Sequence, residues 1–147
     1  MFDKILVCLD GSKIAEQILP FAVEEAAKFN SKLVLLRVAP PMPAASANYG
    51  VAPEEMVEMK SQNRDEDVSY LEGIAGQIRD ERNVEVEYNV EMGLAAETIV
   101  DFAEQHRVGL IAIATHGEGG IKRLVFGSVA DYVLRNANLP ILVIRPV

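Results

Sequence analysis

The sequence predicts a single α/β domain over residues 1–147. Its core is one open, twisted, five-stranded parallel sheet with helices on both faces. Three observations carry this. Short apolar runs alternate along the chain with longer stretches of helical periodicity, the pattern of a parallel sheet with right-handed crossovers. Two of the runs, ILVCL (5–9) within KILVCL and LIAIA (110–114), are apolar at every position, as strands covered on both sides require. The chain's 147 residues suffice for one real core, and half of them are apolar.

Each element has its own signal. Lys4–Leu9 reads as the first strand, ended by the turn Asp10-Gly11-Ser12, whose serine can cap the next helix. Ile14, Ile18, Leu19, Ala22, Val23, Ala26 and Ala27 give one apolar stripe over residues 13–29. Pro20 implies either a kink or a separate first turn over 13–19. Asn30-Ser31 stops the helix, and Lys32–Val38 (KLVLLRV) is the second strand. Ala39–Pro53, with four prolines and Gly50, reads as an irregular exposed loop and a candidate lid over the site beside strand one.

Residues 54–82 are charged and helical. Met56, Met59, Val68, Leu71, Ile74, Ala75 and Ile78 form a broken stripe, and 60–67 are solvated. The two methionines are expected to pack. Val84–Val90 (VEVEYNV) alternates, so it is an edge strand with one exposed face, followed by the connection Glu91-Met92-Gly93. Leu94–His106 is a helix with Ile99, Val100, Phe102 and Ala103 inward. The last elements are the strand Leu110–Ala114, a helix beginning at Ser128, and a final strand Leu139–Ile144 led by Pro140, a residue tolerated only at a strand's start.

The stretch from Ile111 to Asn136 holds the strongest functional signal. A buried strand runs into a loop with Gly117, Gly119 and Gly120, and then into a helix after Gly127-Ser128. Ser128 is the expected N-cap, with Asp131 completing a variant capping box. Free N–H groups and the positive dipole end would then face the glycine loop, a ready phosphate site. In a doubly wound sheet a ligand lies beyond the carboxyl ends of the strands where their order reverses. Asp10-Gly11-Ser12 and Thr115-His116-Gly117 occupy two such ends and would share one crevice.

Composition narrows the classes. A formal charge of −8 excludes a nucleic-acid or anionic-membrane surface, but main-chain amides can hold a mononucleotide without net positive charge. No apolar run is long enough to span a bilayer, so no membrane insertion is expected. Cys8, the one cysteine, reads as a small buried hydrophobe. The start MFDKILVCLDG shows no signal-peptide pattern, and the expected location is the cytoplasm.

The start KILVCLDGS, the block ATHGEGGIKRLVFGSVADYVLRNANLPILVIRP and the element order resemble the universal stress protein family over nearly the whole chain. The family's nucleotide pattern is Gly, two residues, Gly, nine residues, Gly, then Ser or Thr. Gly117, Gly127 and Ser128 match it, while Ala114 stands at the first glycine position. The resemblance implies the strand order 3-2-1-4-5. It places Leu9 and Asp10 at the end of strand one, with Asp10 near a ribose, and puts the Val38 backbone against adenine. Gly117, Gly127, Ser128 and Val129 match the phosphate-contacting positions, and Ala114, His116 and Gly120 complete the implied nucleotide-binding set. The implied ligand is ATP, with Mg²⁺ held mainly by ATP oxygens and water. The implied protein is a regulatory stress-response module that signals through a protein partner and dimerises through Leu139–Ile144. An edge strand so apolar also calls for cover on physical grounds.

The residues do not add up to a cleaving enzyme. His116 reads as a loop-fixing side chain rather than a base, and no metal cluster surrounds it. Ser12 and Ser128 lack a histidine at recognisable spacing, and no GKS or GKT occurs. Lys122 and Arg123 could reach phosphate or lie on a solvated face. The alternative reading is a dimeric interaction protein of the same fold that binds no nucleotide, favoured by Ala114.

Overall fold

A computed structural model describes residues 1–41, 53–116 and 127–147. The lid reading for the loop after strand two, and the readings of Gly117, Gly119, Gly120, Lys122 and Arg123, lie outside the described residues. So does the side chain of Met56.

Five strands form one parallel sheet of order β3-β2-β1-β4-β5. They are β1 (Lys4–Leu9), β2 (Lys32–Ala39), β3 (Val86–Met92), β4 (Leu110–Ala114) and β5 (Ile141–Ile144). The helices are α1 (Lys13–Glu16), α2 (Leu19–Phe29), α3 (Pro53–Glu81), α4 (Ala95–Gln105) and α5 (Ser128–Asn136).

Strand alternation divides the core into two layers. On one face Ile5, Val7, Leu9, Leu33, Leu35, Val86, Leu110 and Ala112 meet Ile18, Ala22 and Ala26 and also Leu71, Ala75 and Ile78 of α3. On the other, Leu6, Cys8, Val34, Leu36, Val38, Ile111 and Ile113 meet Ile99, Phe102 and Ala103 of α4 and Ala130 and Val133 of α5. The three central strands are buried on both sides, which is why their sequences carry no polar alternation. The edge strand β3 does alternate: Val86 is buried, Tyr88 and Val90 are half-buried, and Glu87 and Asn89 are exposed.

The structure resolves the Pro20 alternative in favour of a separate first turn. Ser12 caps α1 by accepting from the Ala15 N–H at 3.1 Å. The chain then restarts as α2, with Pro20 in its first turn, where no intrahelical N–H is needed. Asn30 closes α2 in the left-handed conformation (φ 53°).

Several boundaries differ from the sequence reading, among them the end of β2 at Ala39 and the limits of α4 at Ala95 and Gln105. β3 runs two residues later, because its register with the long β2 pairs Leu33 with Val86 and continues to Ala39 with Met92. Glu91 and Met92 therefore belong to the strand, not the connection. β5 starts at Ile141; Pro140 stays outside and contributes only its carbonyl, to Ile111 N–H at 3.1 Å. Ser128 is the first helical residue of α5, not its cap, since the Gly127 carbonyl takes the first intrahelical bond from Asp131 N–H at 2.9 Å. Asp131 pairs instead with Arg135, one turn on, at 3.0 Å. Met59 is 46% exposed and does not pack into the core.

Candidate functional site

The sheet order reverses between β2-β1 and β4-β5, so the connections leave β1 and β4 toward opposite faces. A cleft opens above their carboxyl ends. Its volume is about 210 Å³. The predicted residues Leu9, Asp10, Val38, Ala114, His116, Gly127, Ser128 and Val129 all line it. Gly117 and Gly120, predicted beside them, lie outside the described residues.

At the end of β1, Asp10 makes an Asx turn: one carboxylate oxygen accepts from Ser12 N–H at 2.9 Å and from its hydroxyl at 2.5 Å. The turn fixes the aspartate at the rim of the cleft and needs Gly11 at φ 89°, a region that favours glycine. At the end of β4, Thr115 is buried, and its hydroxyl lies 2.8 Å from His116 Nδ1. The ring is thus tied to its neighbour, as a loop-fixing histidine would be. Burial raises the Cys8 thiol to about 12, so this cleft-lining cysteine is a neutral hydrophobe rather than a nucleophile.

The start of α5 forms the opposite wall. Gly127 donates to the Thr115 carbonyl at 2.6 Å, and a Cβ on Gly127 would sit 2.8 Å from that same oxygen. This corrects the expectation of a bare Gly127 amide facing a ligand. The glycine is required by the close approach of two loop ends. The groups left to an anion are the first-turn amides of Ser128 and Val129, which have no acceptor within the helix. Because Gly127 carries no side chain, nothing at the N-cap competes for them.

Sequence reading missed Arg37. It also lines the cleft and donates through Nη1 to the Val38 carbonyl at 2.9 Å, while Nε reaches the Asp67 carboxylate on α3 at 3.3 Å. Inside KLVLLRV it looked like one polar exception in a strand. The signal was its place, one residue before Val38, whose backbone the resemblance puts at the base. Tyr70 on α3 has its phenol pushed up to about 12 by burial first and then by the charges of Glu16 and Asp10, with Arg37 opposing.

The profile of the universal stress protein family matches residues 1–145. The chain belongs to the universal stress protein family. The universal stress protein YxiE of Bacillus subtilis is 30% identical over 149 residues, covering 99% of this chain and 100% of that one. Among solved structures, UspA from Lactobacillus plantarum superposes with a TM-score of 0.81 at 22% identity, covering 97% of both chains. The universal stress protein from Archaeoglobus fulgidus in complex with dAMP has a TM-score of 0.65 at 26% identity, again covering 97% of both. The family and its five-stranded fold, read from the KILVCLDGS start, the 114–146 block and the element order, are thereby established for this chain.

Proposed function

We propose that this universal stress protein is a regulatory module that holds ATP in the cleft beyond β1 and β4 and signals its bound state to a protein partner. One observation carries the reading. Val38, Asp10, Ser128 and Val129 line a single cleft, and they carry a main-chain acceptor at a strand end, a carboxylate held by an Asx turn and two helix-start amides. These suit an exocyclic amine, ribose hydroxyls and phosphate respectively. The dAMP complex of the Archaeoglobus fulgidus relative supports an adenine nucleotide as the ligand class.

In this reading the Val38 carbonyl orients the base, Asp10 the sugar and α5 the phosphates. Mg²⁺ would enter with the triphosphate, supplying charge neutralisation while keeping most of its water. Among the described residues no group of three or more His, Cys, Asp or Glu side chains could hold a metal ion alone. No described helix is long and apolar enough to cross a membrane. We place the protein in the cytoplasm, as a dimer paired along β5, whose four residues stand half-buried at the sheet edge.

Isothermal calorimetry with ATP and Mg²⁺ on nucleotide-stripped protein tests the reading. Saturable heat is expected, and its absence at high micromolar protein would refute it. Ala114, which lines the same cleft and stands where the family pattern has glycine, favours the second reading, a dimeric interaction protein without nucleotide. That protein would give no thermal shift with any nucleotide. Light scattering at micromolar concentration checks the dimer common to both.

A further inference from the structure

We propose that Arg37 sets which purine edge the cleft accepts, by occupying the main-chain acceptor at its floor. The proposal rests on the nucleotide reading above.

The orientation of that acceptor follows from strand alternation. In β2, Leu33 N–H bonds to Glu85 ahead of β3, and the Ala39 carbonyl takes Gly93 N–H just after β3, at 2.8 and 3.0 Å. Lys32 N–H turns the other way, to Asp3 beside β1, at 2.9 Å. Odd residues of β2 therefore address β3 and even residues address β1. Val38 is even, but the β1 ladder stops at the pair Leu9–Arg37. Its carbonyl points over the end of β1, into the cleft, beyond the reach of a ladder partner.

Arg37 takes that position. Its Nη1 donates to the Val38 carbonyl at 2.9 Å, and its Nε to Asp67 at 3.3 Å. The Arg37 and Asp67 side chains are only 21% and 19% exposed, so the charge is held in place and weakly screened. A carbonyl has two lone pairs, and one remains for a ligand. A guanidinium offers donors only and always carries its charge. An amine at purine position 6 must share the carbonyl with this cation and is repelled by it. An oxo group at the same position is attracted, as it is when arginine reads the O6 edge of guanine. The cleft therefore discriminates less against 6-oxopurine nucleotides than a bare Val38 carbonyl would, and Arg37 is the specificity-determining residue.

ATP and inosine triphosphate share sugar and phosphates and differ only at the base edge, so their affinity ratio isolates the effect. With wild-type protein the two dissociation constants should lie within about tenfold of each other, the worth of one shared hydrogen bond. In Arg37→Met, ATP should bind more tightly and inosine triphosphate more weakly, moving the ratio by about tenfold. Arg37→Lys keeps a charge beside Asp67 but cannot span both acceptors, and should move the ratio the same way by less. This second variant keeps the test alive if the methionine form fails to fold. A ratio unchanged in folded variants overturns the proposal, because a structural role would move both nucleotides alike. If wild-type protein binds neither nucleotide, the site reading falls and takes the proposal with it. If it binds ATP with an unaltered ratio in the variants, only the role of Arg37 falls.

Discussion

Replacing Gly127 with alanine separates what the fold needs from what a ligand needs. The residue has φ −68°, a value any amino acid adopts, so backbone strain is not the issue. The obstacle is contact: the added Cβ would lie 2.8 Å from the Thr115 carbonyl oxygen, against an ordinary contact of 3.4 Å or more. The loop end must move by the difference, 0.6 Å, and the 2.6 Å bond from Gly127 N–H to that oxygen opens with it. Crowding of this kind costs about 1–3 kcal/mol, and the weakened hydrogen bond about 0.5–1.5. The stiffer unfolded chain returns about 0.4–1 kcal/mol. The expected net loss is about 0.5–4 kcal/mol, a fall in Tm of roughly 1–16 °C. Thermal unfolding followed by circular dichroism, without nucleotide, measures it. Gly73→Ala is the control of opposite sign. Gly73 lies in helical α3, with nothing within 4 Å of a built Cβ, so the variant should gain about 0.5–1 kcal/mol. A Gly127→Ala protein as stable as wild type would refute the steric argument. Lost ATP binding at unchanged Tm would show that the glycine serves a ligand alone.

Two further outcomes are expected. Cys8 ionises near 9.0 when unfolded and near 12 when buried, so its contribution is complete below pH 9 and lost as the pH rises through about 12. Urea unfolding should show stability falling across that window, and Cys8→Ala should flatten the fall beyond what Tyr70 contributes. An identical slope in the variant would contradict the burial argument. Ala114→Gly restores the family's glycine at a residue that lines the cleft at the end of β4, and should tighten ATP binding by calorimetry while costing about 0.5–1 kcal/mol of stability. Unchanged affinity would mean that the methyl crowds no ligand.

The element order and the site's location were legible because they depend on patterns the chain states locally. ILVCL (5–9) and LIAIA are apolar on both faces only because helices cover both sides, and their polar ends mark the edge of the sheet where a ligand can lie. Pairing register was not legible. Nothing in VEVEYNV says that β2 will carry the strand on through Glu91 and Met92; that depends on where the longer neighbour ends. Ser128 misled because a serine beside a helix start resembles a cap. The deciding fact was the bond from Asp131 N–H to the Gly127 carbonyl. Arg37 escaped notice for a similar reason: its meaning comes from Asp67, thirty residues away on α3.

β1 stops at Leu9 while its neighbour β2 continues past the pairing partner Arg37 to Ala39. This difference in length cuts a step into the sheet and leaves peptide groups, not side chains, along its riser. Every amino acid supplies the same carbonyl, so a substitution at position 38 that keeps the strand also keeps the acceptor. A protein built this way can drift widely in sequence on its surface and still present the same face to a base, with adjustment left to the residue next door.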